Sequence, residues 1–126
     1  MARLLLVDDD EDVLALLKAT FAYGPHEVET ACDAEMALDA FVRAPADLVV
    51  LDLGLPGTSG LELLARLRRA GSRCRVVVLT GEGPALEERV RAAGADGYLT
   101  KPFGPLELLT TIEAALGAAA PAQVGR

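Results

Sequence analysis

Four short apolar runs in this 126-residue chain are each followed by a side chain that can bind or transfer a charged group. Runs of this kind, rich in Leu and Val, are typical of strands that are buried on both faces of a sheet. The carboxyl ends of parallel strands share one edge of the sheet, where open α/β folds bind their ligands. Three carboxylates, a hydroxyl and an ammonium are therefore expected to converge at that edge: Asp8, Asp9, Asp52, Thr80 and Lys101.

Such a group of carboxylates needs a cation, because each pair within about 4–6 Å repels by roughly 1–4 kcal/mol. Ligands that are all oxygen favour Mg²⁺, whereas zinc would favour His or Cys. His26 is the only histidine and belongs to another part of the chain, so it is not expected in this site. A nucleophilic carboxylate, a hydroxyl, a lysine and Mg²⁺ together indicate transfer of a phosphoryl group to Asp.

Each of these residues also has an ordinary explanation. The acidic run from Asp8 to Asp12 could favour a helix N-terminus through the helix dipole. Asp52 could cap a turn, Thr80 could be a turn residue, and Lys101 could be a solvated charge on a loop. Their occurrence together at the ends of four apolar runs favours a site.

Strands and helices are predicted to alternate five times along the chain. Short connections and right-handed crossovers then require a parallel sheet with helices on both faces. If the first and third strands are neighbours, the strand order is 2-1-3-4-5, a doubly wound α/β fold with five helices. The predicted strands are Arg3–Val7, Glu27–Ala31, Asp47–Asp52, Arg75–Leu79 and Gly97–Leu99, and the helices lie within Val13–Phe21, Asp33–Arg43, Ser59–Ala70, Pro84–Ala93 and Pro105–Leu116.

Apolar spacing also predicts which side of each helix faces the core. The fourth helix is the most polar, so we expect it to be weakly anchored. The basic run Arg66–Arg69 is interpreted as the solvated edge of the third helix. The residues predicted to face inward are Val13, Leu16, Leu17 and Phe21 on the first helix, Met36, Leu38 and Phe41 on the second, and Leu86, Val90 and Ala93 on the fourth.

Composition limits the class of protein. Apolar residues make up 52% of the chain, which indicates one globular domain, and the net charge of −7 argues against a surface that binds nucleic acid. No apolar run is long enough for a membrane span or a signal peptide, and the two cysteines have no metal or redox spacing. We therefore expect a cytoplasmic domain over residues 1–118, followed at 119–126 by a flexible tail or the start of a linker.

The motifs around these strand ends resemble those of the receiver domains of bacterial two-component response regulators, which have a CheY-like, flavodoxin-like fold. The resemblance covers about Arg3 to Leu116 and is specific, because it includes a motif at each of the four strand ends. The motifs are Leu-Leu-Val-Asp8-Asp9, the stretch from Asp47 to Pro56-Gly, Val-Leu-Thr80-Gly81, and Gly97-Tyr98-Leu-Thr-Lys101-Pro102-Phe103.

The resemblance implies a role for each site residue. Asp52 would be the phosphoacceptor, and Mg²⁺ would be bound by Asp9, Asp52 and the backbone carbonyl of Gly54, with Asp8 acting mainly through water. Lys101 would bind the phosphoryl group, and the peptide bond between Lys101 and Pro102 would be cis.

A conformational switch is also implied. Thr80 would move toward the phosphoryl group and the ring of Tyr98 would turn inward behind it. The output surface would then be the face formed by the fourth helix, the fifth strand and the fifth helix. The donor would be a sensor histidine kinase or a histidine phosphotransfer protein. The recipient of the signal would be a downstream protein or an output domain outside this chain, and the domain itself would be a signalling phosphoacceptor rather than an enzyme.

One departure from the family pattern concerns the lifetime of the phosphoryl group. Gly54 stands two residues after Asp52, where a larger side chain is usual, and Glu82 is acidic two residues after Thr80. Together they are predicted to tune this lifetime by controlling the access of water.

Three other functions compete with this interpretation. A haloacid-dehalogenase-type phosphatase also uses an Asp nucleophile and Mg²⁺, but needs an acid where Gly54 stands. A flavodoxin-like FMN protein would share the strand order, but the acidic residues after the first strand would repel the phosphate. A receiver-like binding module that is never phosphorylated is the third alternative, and the presence of all five site residues argues against it.

Overall fold

The computed structural model of the protein describes residues 2–22, 24–55, 59–69, 73–81 and 86–124, with side chains as far as residue 117. Five strands and five helices alternate along the chain, as predicted. Glu82 and the predicted helix start at Pro84 lie outside the described residues. The strands are β1 (Arg3–Val7), β2 (Glu27–Ala31), β3 (Leu48–Asp52), β4 (Arg75–Thr80) and β5 (Gly97–Thr100), and the helices are α1 (Glu11–Phe21), α2 (Ala34–Arg43), α3 (Gly60–Arg69), α4 (Glu87–Ala92) and α5 (Pro105–Val124).

The five strands form one parallel sheet in the order β2-β1-β3-β4-β5, which confirms the predicted fold. Val7, the last residue of β1, pairs with Leu51 of β3, and Asp52 pairs with Leu79 of β4. The central strands therefore end side by side, so the residues that follow β1 lie next to the end of β3.

The apolar runs of β1, β3 and β4 are buried because helices cover both faces of the sheet. Alternate residues of each strand point to opposite faces, so the core consists of two clusters. Leu5, Val7 and Leu51 belong to the cluster that includes α2 and α3, and Leu4 and Leu6 belong to the cluster that includes α1 and α5.

Two helices expose residues that were predicted to face inward. On α1, Leu16 is 43% exposed and Leu14 is buried instead, because the side that faces the sheet is the one shared by Leu14, Leu17 and Phe21. On α2, Met36 is 47% exposed, and its buried face consists of three alanines. Small side chains let this helix pack close to the sheet, so its longer residues lie at the margin.

The helix α5 continues to Val124, past residue 118, where the domain was predicted to end. The boundary between the domain and the residues after it stays a prediction. None of the helices in the described part of the chain is both long enough and apolar enough to cross a bilayer.

We predict that Gly60→Ala destabilises the fold by about 1–3 kcal/mol through overpacking. A Cβ at residue 60 would lie 2.5 Å from the carbonyl oxygen of Asp52 and 2.7 Å from the Cα of Leu53, so the backbone would have to move. Urea unfolding followed by circular dichroism measures the change. Gly117→Ala on α5 is the matched control, because a Cβ there has no heavy atom within 4 Å and alanine should stabilise the helix by about 0.5–1 kcal/mol. Equal stability of the two variants would contradict the prediction.

Candidate functional site

The acidic run after β1 divides into a helix cap and a buried carboxylate. The side chain of Asp10 accepts hydrogen bonds from the backbone N–H groups of Asp12 and Val13, and so caps α1. The Asp8 side chain is fully buried and accepts a hydrogen bond from the N–H of Asp10 through Oδ1, at 2.9 Å. Asp9 lies between them and is exposed. The ordinary explanation as a helix N-terminus therefore applies to Asp10, whereas Asp8 belongs to the edge of the sheet.

Asp52 is the last residue of β3, and only 7% of it is exposed. Its Oδ1 accepts a hydrogen bond from the N–H of Gly54 at 3.3 Å. The helix α3 begins close to this strand end, where the N–H of Gly60 donates to the carbonyl oxygen of Leu53 at 3.2 Å. Backbone contacts therefore hold the phosphoacceptor candidate in place on both sides.

Lys101 links the two buried carboxylates. Its Nζ lies 3.1 Å from Asp8 Oδ2 and 3.5 Å from Asp52 Oδ1. The backbone N–H of Lys101 donates to the carbonyl oxygen of Thr80 at 2.7 Å, and its peptide bond to Pro102 is cis. The ammonium thus offsets part of the negative charge that the carboxylates bring to this edge.

The three carboxylates among the predicted metal ligands lie together. Asp8, Asp9 and Asp52 each offer a carboxylate oxygen, and these oxygens lie within 4.8 Å of one another. Two of the three residues are buried and Asp9 is exposed, so the cluster opens to solvent on the Asp9 side. An all-oxygen group with one open side fits Mg²⁺, which usually keeps water ligands.

The charges in this cluster shift the pKa of two of its members. Burial raises the pKa of Asp8 above its ordinary 3.8, and the charge of Asp52 adds to this, although the N–H of Asp10 and the ammonium of Lys101 oppose it. For Lys101, burial alone would lower the pKa, but the hydrogen bond to Asp8 and the charges of Asp8 and Asp52 outweigh it and raise the pKa above 10.5. Lys101 is therefore a cation at neutral pH.

Thr80 and Tyr98 lie on the same face of neighbouring strands. Thr80 ends β4, is buried, and pairs with Thr100. Tyr98 pairs with Val78, two residues before Thr80, and packs against the core cluster on the α2 and α3 face while remaining partly exposed. Tyr98 therefore lies one strand farther from Asp52 than Thr80 does, on the same face of the sheet as Thr80.

The histidine lies apart from the cluster. His26 lies just before β2, where its Nδ1 accepts from the N–H of Ala2 at 3.0 Å and its Nε2 lies 3.1 Å from Glu113 of α5. Gly54 is exposed beside Asp52, whereas Glu82 is outside the described residues. Both cysteines are free; Cys32 is exposed and Cys74 is buried.

Two features of the structure were not predicted from the sequence. A cleft of about 370 Å³ beside Lys101 is lined by Val13, Leu16, Pro102 and Phe103. The exposed Leu16 belongs to it, and no signal in the sequence indicated this, because Leu16 fits the apolar stripe that was predicted to face inward. The second feature is Arg68, which was interpreted as solvated but donates to the carbonyl oxygens of two other segments. Its position four residues after the buried Leu64 was the available signal.

The chain is similar in sequence to a known protein family and to curated proteins. Residues 4–113 match the family model of the response regulator receiver domain. The response regulator MprA of Mycobacterium sp. (strain KMS) is 40% identical over 121 residues, which cover 94% of this chain and 52% of that protein. The MprA of Mycobacterium leprae is 40% identical over 116 residues, which cover 90% of this chain and 50% of that protein. The chain therefore spans about half the length of the curated relatives it matches.

Solved structures with the same fold include proteins of different length. The chemotaxis protein CheY4 of Vibrio cholerae has a TM-score of 0.85 and 32% identity, with 91% of this chain and 98% of that chain covered. NtrX from Brucella abortus has a TM-score of 0.90 and 31% identity, with 97% of this chain but only 28% of that chain covered. The matched fold therefore occurs both alone and as one part of a longer chain.

We predict that Asp8→Asn stabilises the metal-free protein at pH 7 by on the order of 1 kcal/mol, because it removes a buried charge that Asp52 repels. Folding raises the pKa of Asp8, so its charge does not destabilise the fold below the ordinary 3.8. The destabilisation grows as the pH rises from there and is complete above the folded-state pKa. Thermal unfolding with a chelator present should show a midpoint a few degrees higher at pH 7 and a smaller difference near pH 3.

Asp9→Asn is the control for this measurement, because Asp9 belongs to the same cluster but is exposed. Its effect should be less than half that of Asp8→Asn, since water already solvates its charge. A midpoint for Asp8→Asn that is unchanged or lower at pH 7 would show that burial of this carboxylate does not destabilise the fold.

Proposed function

The chain belongs to the response regulator receiver domain family, and from this we propose that Asp52 accepts a phosphoryl group in an Mg²⁺-dependent reaction. The donor is a phosphohistidine on a sensor histidine kinase or a histidine phosphotransfer protein. The observation that carries the proposal is the group of three carboxylates whose oxygens lie within 4.8 Å, together with an ammonium 3.1 Å from Asp8 and 3.5 Å from Asp52. These are the groups that phosphoryl transfer to a carboxylate requires.

In the proposed reaction a carboxylate oxygen of Asp52 attacks phosphorus. The P–N bond of the phosphohistidine breaks, the imidazole nitrogen takes the electron pair, and an O–P bond forms to Asp52. Bound Mg²⁺, held by Asp9, Asp52 and the Gly54 carbonyl with Asp8 acting mainly through water, would offset negative charge on the phosphoryl oxygens. The hydrogen bond from the N–H of Gly54 to Oδ1 helps to orient the carboxylate for attack.

Lys101 supplies the second positive charge. Its raised pKa keeps it protonated, and its Nζ already lies within 3.5 Å of Asp52 Oδ1. In the phosphorylated protein the ammonium would pair with a phosphoryl oxygen while it keeps its contact with Asp8. The charge that the new group adds is thus met by a cation already in position, with little rearrangement.

Thr80 and Tyr98 are proposed to carry the signal to the output face, which α4, β5 and α5 form. A hydrogen bond from the Thr80 hydroxyl to the phosphoryl group is charge-assisted and contributes about 1.5–3 kcal/mol. The helix α4 has only six residues, and Val90 is the buried one among them. An energy of this size can therefore shift the position of the helix. Tyr98 is partly exposed and lies on the strand next to Thr80, on the same face of the sheet. Its ring can therefore follow the hydroxyl inward.

A protein donor is supported by the cleft beside Lys101. The side chains of Leu16 and Phe103 line it, and Leu16 is 43% exposed. We propose that an apolar side chain of the donor fills this cleft while the phosphohistidine approaches Asp52, because an exposed apolar surface next to a charged site fits a protein partner.

The first prediction from this function is phosphorylation of Asp52. Incubation with acetyl phosphate and Mg²⁺ should add about 80 Da, the mass of one phosphoryl group, to the intact protein. The adduct should be absent from Asp52→Asn and after chelation of the metal, because each removes a group the reaction needs. Intact-mass spectrometry gives the measurement.

Asp39→Asn is the matched control, since Asp39 is an exposed aspartate on α2, away from the cluster. It should be modified at the wild-type rate. If the wild type gains no mass, a complex with beryllofluoride distinguishes rapid hydrolysis from a module that is not phosphorylated. The proposed function would be overturned if the protein formed neither a phosphoryl adduct nor a beryllofluoride complex.

The second prediction concerns the lifetime of the phosphoryl group. A Cβ at Gly54 would lie 3.8 Å and 3.9 Å from the two carboxylate oxygens of Asp52, so a side chain there would cover the phosphorylated carboxylate. Gly54→Asn and Gly54→Met should therefore slow loss of the phosphoryl group more than twofold by restricting water. The decay of the phosphorylated species, followed by intact-mass spectrometry, gives the rate.

Gly24→Asn is the control for this experiment, because Gly24 is an exposed glycine in the turn before β2, at the opposite edge of the sheet from Asp52. Its decay rate should equal that of the wild type. Rates within twofold of the wild type for both Gly54 variants would reject the idea that residue 54 controls access of water.

A further inference from the structure

The side chain of Arg68 joins three segments at the edge of the sheet opposite the carboxylate cluster. It extends from the last turn of α3 and is partly buried. Its Nη1 donates to the carbonyl oxygen of Cys74, just before β4, at 2.8 Å. Its Nη2 donates to the carbonyl oxygen of Gly94, just after α4, at 2.8 Å, and lies 3.3 Å from Asp96 Oδ2. One guanidinium thus connects the end of α3, the start of β4 and the end of α4.

Asp96 extends this connection to the sheet. Its Oδ2 accepts a hydrogen bond from the N–H of Val76 at 2.9 Å, and its own N–H donates to the Val76 carbonyl oxygen at 2.8 Å. Its Oδ1 lies 3.6 Å from Nη1 of Arg75. The residues that follow α4 are therefore bonded directly to the beginning of β4.

The two ends of α4 differ in how they are held. At the C-terminal end the N–H of Ala95 donates to Val90 O and the N–H of Gly94 donates to Arg91 O, the two bonds of a Schellman motif. Gly94 has φ +112°, a conformation that favours glycine. At the N-terminal end the cap residue Leu86 makes no side-chain hydrogen bond to the helix. In the described part of the chain, the hydrogen bonds that fix the position of α4 lie at its C-terminal end.

We propose that Arg68 is a positioning residue that fixes the C-terminal end of α4, so that the helix turns about Gly94 when the switch operates. The switching part of this inference rests on the proposed function. The strand β4 has six residues and spans about 17 Å, so Arg68 is remote from the carboxylates at the other end. Loss of Arg68 should therefore leave phosphoryl transfer at the wild-type rate and change the motion of α4.

Amide hydrogen exchange of the unliganded protein tests the anchoring. Arg68→Met should speed exchange at Ala95 and Asp96 by tenfold or more, whereas exchange at Val50 in the central strand should change much less. Arg68→Lys keeps the charge but cannot bridge both carbonyl oxygens, so it should give an intermediate effect. Arg66→Met is the matched control, because Arg66 is exposed on the same helix. Within the described part of the chain, Arg66 forms its ion pair with Glu62.

The outcomes separate a local anchor from a general loss of stability. Equal acceleration at Ala95, Asp96 and Val50 would overturn the inference, since it would mean that Arg68 only stabilises the whole fold. Should Arg68→Met fail to fold, Asp96→Asn removes the same ion pair while it keeps an acceptor for the Val76 N–H, and the same comparison of amides applies.

Beryllofluoride with Mg²⁺ tests the turning motion by amide chemical shifts. In the wild type, the shift changes should decrease along α4 from Glu87 to Gly94; in Arg68→Met they should at least double at Gly94 and Asp96. A wild-type change at Gly94 as large as at Glu87, or an unaltered pattern in the variant, would overturn the inference. If beryllofluoride shifts no amide near Asp52, the proposed function and the turning motion fail together, whereas hydrogen exchange decides the anchoring by itself.

Discussion

The ammonium of Lys101 holds together a group of carboxylates that would otherwise repel one another. Asp8 follows β1 and Lys101 follows β5, and these strands are three positions apart in the sheet, or about 14 Å. The lysine side chain and the loop that carries it close this separation to a contact of 3.1 Å. The contact spans the order β1-β3-β4-β5, and Asp52 at the end of β3 lies between the two partners. One electrostatic interaction therefore joins the end of β1 to the loop after β5.

The same interaction explains why a domain with so apolar a centre retains a buried charge. A fully buried carboxylate lowers stability unless it is paired and hydrogen-bonded, and Asp8 has both an ammonium and a backbone N–H as partners. These partners do not cancel the effects of burial and of the charge of Asp52, which is why the pKa of Asp8 stays raised. The proposed Mg²⁺ site would need this excess of negative charge, because the metal is bound by carboxylate oxygens. Stability and chemistry thus make opposite demands on one residue.

Much of this arrangement could be predicted from the sequence, because its cause is local in the chain. Apolar runs with a polar residue directly after them predicted both the strands and the edge at which Asp8 and Asp52 meet. The facing of the helices was less predictable: Leu16 and Met36 fit an apolar stripe, but the start of α1 and the small alanines of α2 decide which side packs on the sheet. The position of Arg68 four residues after Leu64 hinted that it faces inward, but its partners could not be predicted, because they include backbone carbonyl oxygens that any sequence supplies.

In the described part of the chain, more contacts hold the C-terminal end of α4 than its N-terminal end, and the proposed switch depends on that difference. Near Thr80, α4 begins without a side-chain cap; at Gly94 it ends in a Schellman motif and a guanidinium contact. A single charge-assisted hydrogen bond supplies about 1.5–3 kcal/mol, which shifts an equilibrium only if little else must be broken. Releasing both ends of the helix would require loss of the contacts made by Arg68 and Asp96. Turning about a fixed end would leave them intact, so in the proposed switch one hydrogen bond at Thr80 would shift the population of output-face conformations.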